Sequence, residues 1–541
     1  MSGSNDAVTA DRNTGATTPL WDANPAPAPL ADTQAWRQFV VSAQHADLTA
    51  ATLRIVKAPH VAVDLSAQAQ SPALMAAGEA LLLKRGFDAA RACLLEGGMA
   101  NCTEARPAWH TALRSADASL RVAEQVATER ERVRNFVRRA DAVGRYKHVV
   151  NIGIGGSDWG PRLVVSALGN AGTRREMRFV SNIDGHAIES GLLGLDPLHT
   201  LFIVSSKSFN TIETLRNAER AIEWLRAGGV QDVNAHMVAV TSNVAGAARL
   251  GITEDHVFKL WDWAGGRYSV WSSIGLPIAL ALGVETLDGL LQGAAEMDAH
   301  FASAPISENA PVQLALTALV NRNVFGYPSL NIAAYDARLT NLAPYLQQLD
   351  MESLGKSVDV YGRPVSVPTG SLVWGVSGTD AQHTFFQWLH QGTDPTPVDF
   401  VVCREADHTF AEHHRLLLAN CLAQREALLR GKSFDTLLPE VAKTESDPER
   451  ATWLARHKVH PGGRPSTLLV LPRLTAQSLG ALLALYEHKV FVQGIVWGIN
   501  PFDQWGVEYG KVLATGIAEE LNGGQAKPHD VSTAHWVDEW K

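Results

Sequence analysis

One segment of the sequence gathers hydroxyl side chains, a lysine and a predicted helix start. SSKSFNTIET, residues 205–214, follows a buried apolar run at the point where a helix should begin. Hydroxyls, an ammonium and free backbone N–H groups at a helix N-terminus favour binding of a phosphate dianion. The same letters fit a capping box, with Asn210 as N-cap and Glu213 three residues later. Phosphate binding and simple helix capping both remain open for this segment.

A glycine-rich turn, GIGGSDWGP at residues 153–161, follows another strand-like run. Glycines after a parallel strand let backbone N–H groups approach a phosphate or a sugar oxygen. A dinucleotide fingerprint is the tempting interpretation, and Asp184 stands where a ribose-binding acid would be expected. However, Asp158 occupies the place of the third glycine of GxGxxG, and no GK[ST] follows. The spacing therefore disfavours NAD and leaves a tight turn or a sugar-phosphate contact.

Several residues further along the chain could move a proton beside a carbonyl group. Arg267 follows two glycines, and Glu352 lies in a polar segment after a short predicted helix. Gln504 and Lys511 are seven residues apart, which puts them on one face of the final predicted helix. Taken singly, each has an ordinary alternative, and His383 is one of 19 histidines. Together they form the set that general acid–base chemistry requires.

Composition excludes several other classes of function. The net charge of −9, with no basic stretch interleaved with aromatics, argues against nucleic-acid binding. The longest apolar run, residues 274–284, is too short to span a membrane, and no secretory signal is visible, so we expect a cytoplasmic protein. The four cysteines lack CxxC spacing and are expected to be reduced thiols. His408, Glu412, His413 and His414 do not form HExxH, so no metal site is predicted.

The elements that must position these residues alternate between strands and helices. KHVVNIG, MRFVSNI, TLFIVSS, HMVAVTS and HVFKL each indicate a buried strand, with amphipathic helical segments between them. A second series comprises SLNIAAYD, GSLVWG, VDFVVCRE and STLLVLPRL. Two tandem, doubly wound α/β subdomains with parallel sheets are therefore predicted, flanked by an N-terminal helical region and a C-terminal helical arm.

The predicted domain boundaries follow changes in this pattern. Residues 1–30 end in a Pro/Ala tract and are expected to form a flexible arm, and residues 31–115 a helical region interrupted by strand-like VAVDLS. Residues 116–285 and 286–512 are the two α/β domains. Residues 513–541 form a C-terminal arm whose polar tail is expected to be frayed or docked on a partner.

Taken together, these segments resemble the glucose-6-phosphate isomerase family over residues 45–515. The resemblance is carried by stretches that include NCTEARPAWHTALR, VVNIGIGGSDWGP, SSKSFNT, WDWAGGRYSVWS, QQLDMES, GTDAQHTFFQWLHQGT, LYEHKVFVQG and NPFDQWGVEYGK. It implies two sugar-isomerase-type (SIS) domains, a hexose phosphate substrate interconverted between glucose and fructose 6-phosphate, and no cofactor. It also implies a homodimer whose subunits share the active site.

The resemblance assigns roles to residues of this sequence. Glu352 is similar to the catalytic base, and Arg267 would stabilise a cis-enediolate. His383, from the partner subunit, and Lys511 would assist ring opening. The residues that resemble the substrate-binding set are Gly156, Ser157, Ser206, Lys207, Ser208, Thr211, Gln348 and Gln504.

Three positions depart from the family pattern. Leu354 and Gly463 each replace a common Asn, and Ser208 replaces a Thr while keeping the hydroxyl. Two other functions stay open at this point. A non-catalytic sugar-phosphate-binding regulator would keep the phosphate cradle and lose the base, and a metal-dependent isomerase would lose activity in chelator.

Overall fold

The protein is described by a computed structural model, which covers residues 19–48 and 52–541. The chain divides into a large unit, Met1–Pro501, and a C-terminal unit, Phe502–Lys541. Most of the predicted flexible arm, up to residue 18, lies outside the described residues. The described part of this segment contacts the rest of the large unit: the Pro27 carbonyl accepts from Arg363 at 2.9 Å, and the Ala23 carbonyl accepts from Tyr361 Oη at 3.3 Å.

The strands of the described residues are β1 (Ile55–Ala58), β2 (Val61–Ala67), β3 (His148–Gly153), β4 (Glu176–Val180), β5 (Thr200–Ser205), β6 (Met237–Thr241), β7 (Val257–Lys259), β8 (Ser329–Tyr335), β9 (Leu372–Trp374), β10 (Val398–Cys403) and β11 (Ser466–Leu471). Each run that the sequence marks as a strand in the two α/β series is confirmed.

The α-helices in the large unit are α1 (Gln34–Gln44), α2 (Pro72–Lys84), α3 (Phe87–Glu96), α4 (Ala123–Val143), α5 (Trp159–Leu168), α6 (Gly185–Leu192), α7 (Ile212–Ala227), α8 (Val244–Arg249), α9 (Leu276–Leu282), α10 (Val284–Ser303), α11 (Ala310–Leu319), α12 (Leu342–Leu346), α13 (Glu352–Leu354), α14 (Gly378–Gln382), α15 (Phe386–Gln391), α16 (Ala411–Arg430), α17 (Phe434–Val441), α18 (Pro448–His457) and α19 (Ala476–Trp497). The C-terminal unit contributes α20 (Glu508–Leu521) and α21 (Val531–Trp540).

The first sheet has the strand order β4-β3-β5-β6-β7, and all neighbouring strands are parallel. Strand β5 is buried along its whole length, as expected for a strand covered by helices on both faces. The chain passes from β3 to β4 on one side and returns to β5 on the other. This arrangement makes a topological switch point between β3 and β5, where α/β sheets bind ligands.

The second sheet has the order β1-β2-β11-β10-β8-β9. Strands β8 to β11 are parallel, and a hairpin of β1 and β2 adds to β11 in the antiparallel direction. The sequence indicates only β2 within the predicted helical region. Strand β1 was missed because its four residues are too few for a periodic signal. His60, with φ of 59°, makes the tight connection of this hairpin.

Helix α19 is the central helix of the large unit and packs closely against α10. Glycines make this approach possible: a Cβ on Gly293 would lie 1.9 Å from the Gln477 carbonyl oxygen, and one on Gly480 would lie 2.0 Å from that of Leu290. By length and composition, α19 could cross a membrane, but its apolar window is entirely buried within the protein. It is therefore a core helix in this fold.

The C-terminal unit folds back on itself. The Glu520 carboxylate accepts hydrogen bonds from the Lys527 N–H and from His529 Nε2, each at 2.8 Å. Asp530 then caps α21 by accepting from the N–H groups of the next turn. The polar tail is thus an ordered helix, and not the frayed alternative that the sequence left open.

Candidate active site

Two glycine-containing turns interlock at the carboxyl end of the first sheet. Gly155–Ser157 forms a 3₁₀ turn directly after β3, and Gly266–Tyr268 forms a second one. A Cβ on Gly156 would lie only 1.8 Å from the Gly266 carbonyl oxygen, so the two backbones touch there. Gly155, with φ of 59°, turns the chain toward Gln348. The glycine-rich motif therefore packs directly against the turn that carries Arg267.

Glu352 stands where a widened helical turn meets α13. The chain runs from α12 through a π-helical turn, Gln347–Met351, and the sequence predicts only a polar segment here. Such π-helical turns are common at functional sites. Gln348 Nε2 donates to Glu352 Oε2 at 3.0 Å, and the Glu352 side chain is 23% exposed. The carboxylate is thus oriented and still accessible.

Arg267 brings a buried positive charge to this carboxylate. Its side chain is 2% exposed, and Nη1 lies 3.6 Å from Glu352 Oε2. Nε donates to Ser353 Oγ at 2.6 Å, and Nη2 donates to the Pro501 carbonyl at 2.7 Å. Arg267 is therefore not a solvent-facing side chain. A base beside a fixed cation suits a reaction in which negative charge develops next to the abstracted proton.

The hydroxyl-rich segment lies beside the glycine turn, because Gly153 and Ser205 are paired at the ends of β3 and β5. Ser206 Oγ lies 3.2 Å from Thr211 Oγ1 and accepts from the Phe209 N–H at 3.2 Å. Phe209 has φ of 53°, a conformation that costs energy for a bulky residue and is often found at ligand sites. The Ser206 and Thr211 hydroxyls thus converge ahead of α7.

The predicted capping box is wrong in detail. Thr211 is the N-cap residue of α7, one position later than Asn210, and its side chain makes no capping hydrogen bond. With no capping side chain, the N-terminus of α7 keeps donors available for an anion. Ser208 in the same loop is exposed.

Lys207 is partly buried within this loop. Its Nζ donates to the backbone carbonyls of Asp262 at 2.6 Å and of Ala264 at 3.1 Å. Burial, with a further contribution from Arg106, lowers the pKa of Lys207 to about 8. These hydrogen bonds from the Lys207 ammonium connect the hydroxyl-rich loop to the segment just before Arg267.

The two acids weighed in the dinucleotide interpretation, Asp158 and Asp184, have structural partners. Both Asp158 oxygens accept from Arg162 at 2.9 Å. Asp184 caps α6 by accepting from the His186 N–H at 3.0 Å. Both contacts are local, as expected for residues that fix the ends of helices.

The remaining predicted residues belong to other elements of the chain. His383 is exposed at the C-terminal end of α14, where its N–H donates to the Asp380 carbonyl at 3.0 Å. Gln504 and Lys511 belong to the C-terminal unit. Gln504 precedes the 3₁₀ turn Trp505–Val507 and is not on α20, so the predicted shared helical face is wrong. Lys511 is on α20 and pairs with Glu508 at 2.8 Å.

Neither the cysteines nor the histidine-rich segment forms an additional centre. All four cysteines are free thiols. His414 Nε2 contacts the Arg404 carbonyl at 2.9 Å at the start of α16. Within residues 19–48 and 52–541, no group of three or more His, Cys, Asp or Glu side chains is arranged around a common point.

The departures from the family pattern have simple structural settings. Leu354 is fully buried, so its side chain adds to the core beneath the Glu352 turn. Gly463 has φ of 62°. Glycine and asparagine are the residues that most readily adopt this conformation, so the backbone tolerates either.

Sequence analysis missed the buried groups that support the site. Lys489 of α19 forms an ion pair with Asp350 at 2.6 Å, and both side chains are at most 5% exposed. Asp350 lies in the π-helical turn two residues before Glu352, so the pair ties that turn to the central helix. The available signal was a charged run, EHK, in an otherwise apolar helix. Buried charges of this kind require partners.

A second buried cluster supports the Arg267 segment. Glu487 of α19 accepts from Arg114 at 2.6 Å and from Trp271 Nε1 at 2.7 Å. Arg114 also makes two hydrogen bonds to Asp298, at 2.6 and 2.7 Å. Burial raises the pKa of the Glu487 carboxyl to about 7 despite Arg114. These partners come from distant parts of the sequence, and for that reason spacing alone did not reveal them.

Comparisons with known proteins agree on one family. The phosphoglucose isomerase family model matches residues 64–537. The glucose-6-phosphate isomerases of Bordetella pertussis and Bordetella avium are 57% and 59% identical to this chain over 514 residues, covering 95% of it and 99% of each relative. The crystal structure of a glucose-6-phosphate isomerase from Chlamydia trachomatis matches with a TM-score of 0.83 at 31% identity, covering 95% of this chain and 100% of that one. The chain therefore belongs to the phosphoglucose isomerase family.

Proposed function

We propose that this protein interconverts glucose 6-phosphate and fructose 6-phosphate, as the names of its Bordetella relatives suggest. The sugar ring opens, a base removes the proton from carbon 2 of the aldose, and the proton returns at carbon 1. The carbonyl group moves from carbon 1 to carbon 2. No electrons leave the substrate, so the reaction needs neither a redox cofactor nor a metal hydride acceptor.

The observation that carries this proposal is the pairing of an accessible carboxylate with a buried arginine. Glu352 takes the role of the base, since its oxygen is oriented by Gln348 and remains partly exposed. Arg267 stabilises the cis-enediolate that forms between the two proton transfers. Preorganised contacts of this type contribute on the order of 3 kcal/mol each to transition-state stabilisation. General-base positioning contributes roughly 10²–10⁴-fold in rate.

The hydroxyl-rich loop takes the role of the phosphate cradle. The adjacent ends of β3 and β5 support this role, because the Gly156 and Ser157 turn lies beside it and suits contacts to the sugar. The cradle residues are Ser206, Lys207, Ser208 and Thr211. Gln504 is assigned to the same role by family likeness alone. A fixed phosphate holds the open sugar so that one base reaches both carbons.

Ring opening is assigned to His383 of the partner subunit and to Lys511. This assignment rests on family likeness and makes the active protein a homodimer with shared sites. The exposure of His383 is compatible with use by a second subunit. We further propose that the enzyme acts in the cytoplasm, where its phosphorylated substrates are made and consumed.

The test of this function is a coupled assay on chelator-treated protein. We expect fructose 6-phosphate and glucose 6-phosphate to interconvert at an undiminished rate, since the proposed chemistry uses only side chains. Activity that disappears with chelator and returns with a divalent metal would favour a metal-dependent isomerase instead. Binding of hexose phosphate without turnover, in verified folded protein, would favour a non-catalytic regulator.

A further inference from the structure

We propose that Ser353 is a positioning residue for this reaction: its buried hydroxyl holds the Arg267 guanidinium in place so that the arginine faces Glu352 without capturing it. The inference rests on the proposed isomerase function. It adds a residue that neither the motif spacing nor the family resemblance assigned.

Ser353 lies directly under the guanidinium group. It is completely buried, and its Oγ accepts from Arg267 Nε at 2.6 Å. Tyr268, the neighbour of Arg267, places its Oη 3.0 Å from the same Oγ. The Pro501 carbonyl accepts from both Arg267 Nη2 and Tyr268 Oη, at 2.7 and 3.3 Å. The Ser353 hydroxyl oxygen and the Pro501 carbonyl oxygen, both uncharged, thus accept hydrogen bonds from two different nitrogens of the arginine.

The geometry toward Glu352 explains why neutral acceptors matter. An arginine in unhindered contact with a carboxylate usually forms two parallel hydrogen bonds of about 2.7–2.9 Å. Here the closest approach, from Nη1 to Glu352 Oε2, is 3.6 Å, which is longer than a hydrogen bond. A bidentate pair would occupy both carboxylate oxygens, and one of them is needed to accept the substrate proton. The Ser353 hydroxyl therefore favours an orientation in which charge stabilisation and proton transfer are both possible.

Tyr268 contributes an uncharged hydroxyl to the contacts around Ser353. Burial raises the pKa of Tyr268 to about 12, so its hydroxyl stays protonated at physiological pH. A serine hydroxyl offers one donor and two acceptor positions. Ser353 Oγ can accept from Arg267 and share a second hydrogen bond with Tyr268.

The test is Ser353→Ala, with the rate and the binding measured separately. Loss of the acceptor lets Arg267 move toward Glu352, so we expect kcat to fall about 10- to 100-fold, because small misplacements near reacting atoms have effects of this size. KM for fructose 6-phosphate should change less than about threefold, since the phosphate contacts stay intact. A phosphorylated five-carbon aldonate, whose carboxylate resembles the enediolate, should lose affinity in parallel with kcat.

Ser272→Ala is the matched control. Ser272 is also buried, in the segment that carries Arg267, and its hydroxyl donates to the Ser269 carbonyl at 2.6 Å. Its loss should lower the thermal midpoint of unfolding to a similar degree while kcat stays near the wild-type value. Ser353→Cys fills the cavity with a weaker acceptor, and it provides the same measurement if Ser353→Ala does not fold.

The outcomes separate this inference from the proposed function. An active wild-type protein whose folded Ser353 variants keep wild-type kcat and aldonate affinity would overturn the role of Ser353 alone. Equal losses of kcat in the Ser353 and Ser272 variants would also overturn it, since they would indicate a general structural effect. A wild-type protein without isomerase activity would overturn the proposed function itself.

Discussion

Charge at the site is divided among three side chains that sit in different environments. Glu352 and Lys207 are half-buried, and Arg267 is almost completely buried. A buried arginine keeps its charge at any working pH, whereas a buried lysine loses its proton more readily. If Lys207 holds the phosphate as proposed, phosphate binding depends on pH through the charge of this lysine.

A pH profile tests the role of Lys207. In the proposed cradle the protonated form of Lys207 binds the phosphate, and burial lowers the pKa of this lysine to about 8. As pH rises through that value the ammonium loses its charge, so kcat/KM should fall by about half near pH 8 and roughly tenfold per unit above it. Lys207→Met should raise KM about 10- to 100-fold, the size of a charge-assisted hydrogen bond, and remove this alkaline decline. An unchanged decline in Lys207→Met would contradict the assignment.

At the scale of elements, two 3₁₀ turns and one π-helical turn place the glycine-rich motif, Arg267 and Glu352 next to one another. The Gly155–Ser157 turn, the Gly266–Tyr268 turn and the π-helical turn before Glu352 each come from a different part of the chain. The two glycine-containing turns meet backbone to backbone at Gly156 and Gly266, so a side chain added at Gly156 cannot be accommodated by rotamer changes. Tight packing of this kind transmits strain directly to the site.

Gly156→Ala tests this interlock, and Gly266→Ala is its control. The added Cβ at Gly156 would lie 1.8 Å from a carbonyl oxygen, whereas one at Gly266 meets no atom within 4 Å. We expect Gly156→Ala to lower the apparent free energy of unfolding by about 1–3 kcal/mol or more, and turnover by about 100-fold. Gly266→Ala should keep wild-type thermal stability. Equal unfolding midpoints for the two variants, measured by calorimetry, would contradict the interlock.

The sequence predicted the sheet strands because parallel strands are continuous apolar runs with β-branched residues, as in β3 and β5. It missed β1, which is short, and it misplaced the start of α7 by one residue. Chemical type and resemblance predict the individual residues Arg267, Glu352 and Ser206, and their roles stay a proposal. Ser353 and Lys489 were missed, since their roles depend on contacts with segments more than 80 residues away. Spacing along the chain carries no signal for such contacts.

At the scale of the whole molecule, the boundaries of the two α/β domains stay a proposal. Strands β3 to β7 fall within residues 116–285, and β8 to β11 fall within residues 286–512, which supports the division. The β1–β2 hairpin comes from the N-terminal region and extends the second sheet. The region 31–115, predicted as helical, therefore also contributes two strands to the second sheet.

Sharing of the active site between subunits predicts complementation. His383→Ala and Glu352→Gln chains should each be strongly impaired, because each lacks one step of the reaction. After the two chains are mixed and subunit exchange is verified by mass spectrometry, a heterodimer should contain one site with both residues intact. Because one of its two sites is intact, we expect the heterodimer to have up to about half of the activity of a wild-type dimer. No recovery in a verified heterodimer would contradict a shared site.

The central claim is that Glu352 carries a proton between two carbons of a hexose phosphate, and hydrogen exchange measures this directly. In D₂O, wild-type protein should incorporate deuterium from solvent at carbon 1 of fructose 6-phosphate during isomerisation, since a carboxylic acid exchanges its proton with water. Glu352→Gln should bind fructose 6-phosphate with similar affinity and lose both turnover and exchange by about 10²–10⁴-fold. Near-normal deuterium incorporation by folded Glu352→Gln protein would contradict the account.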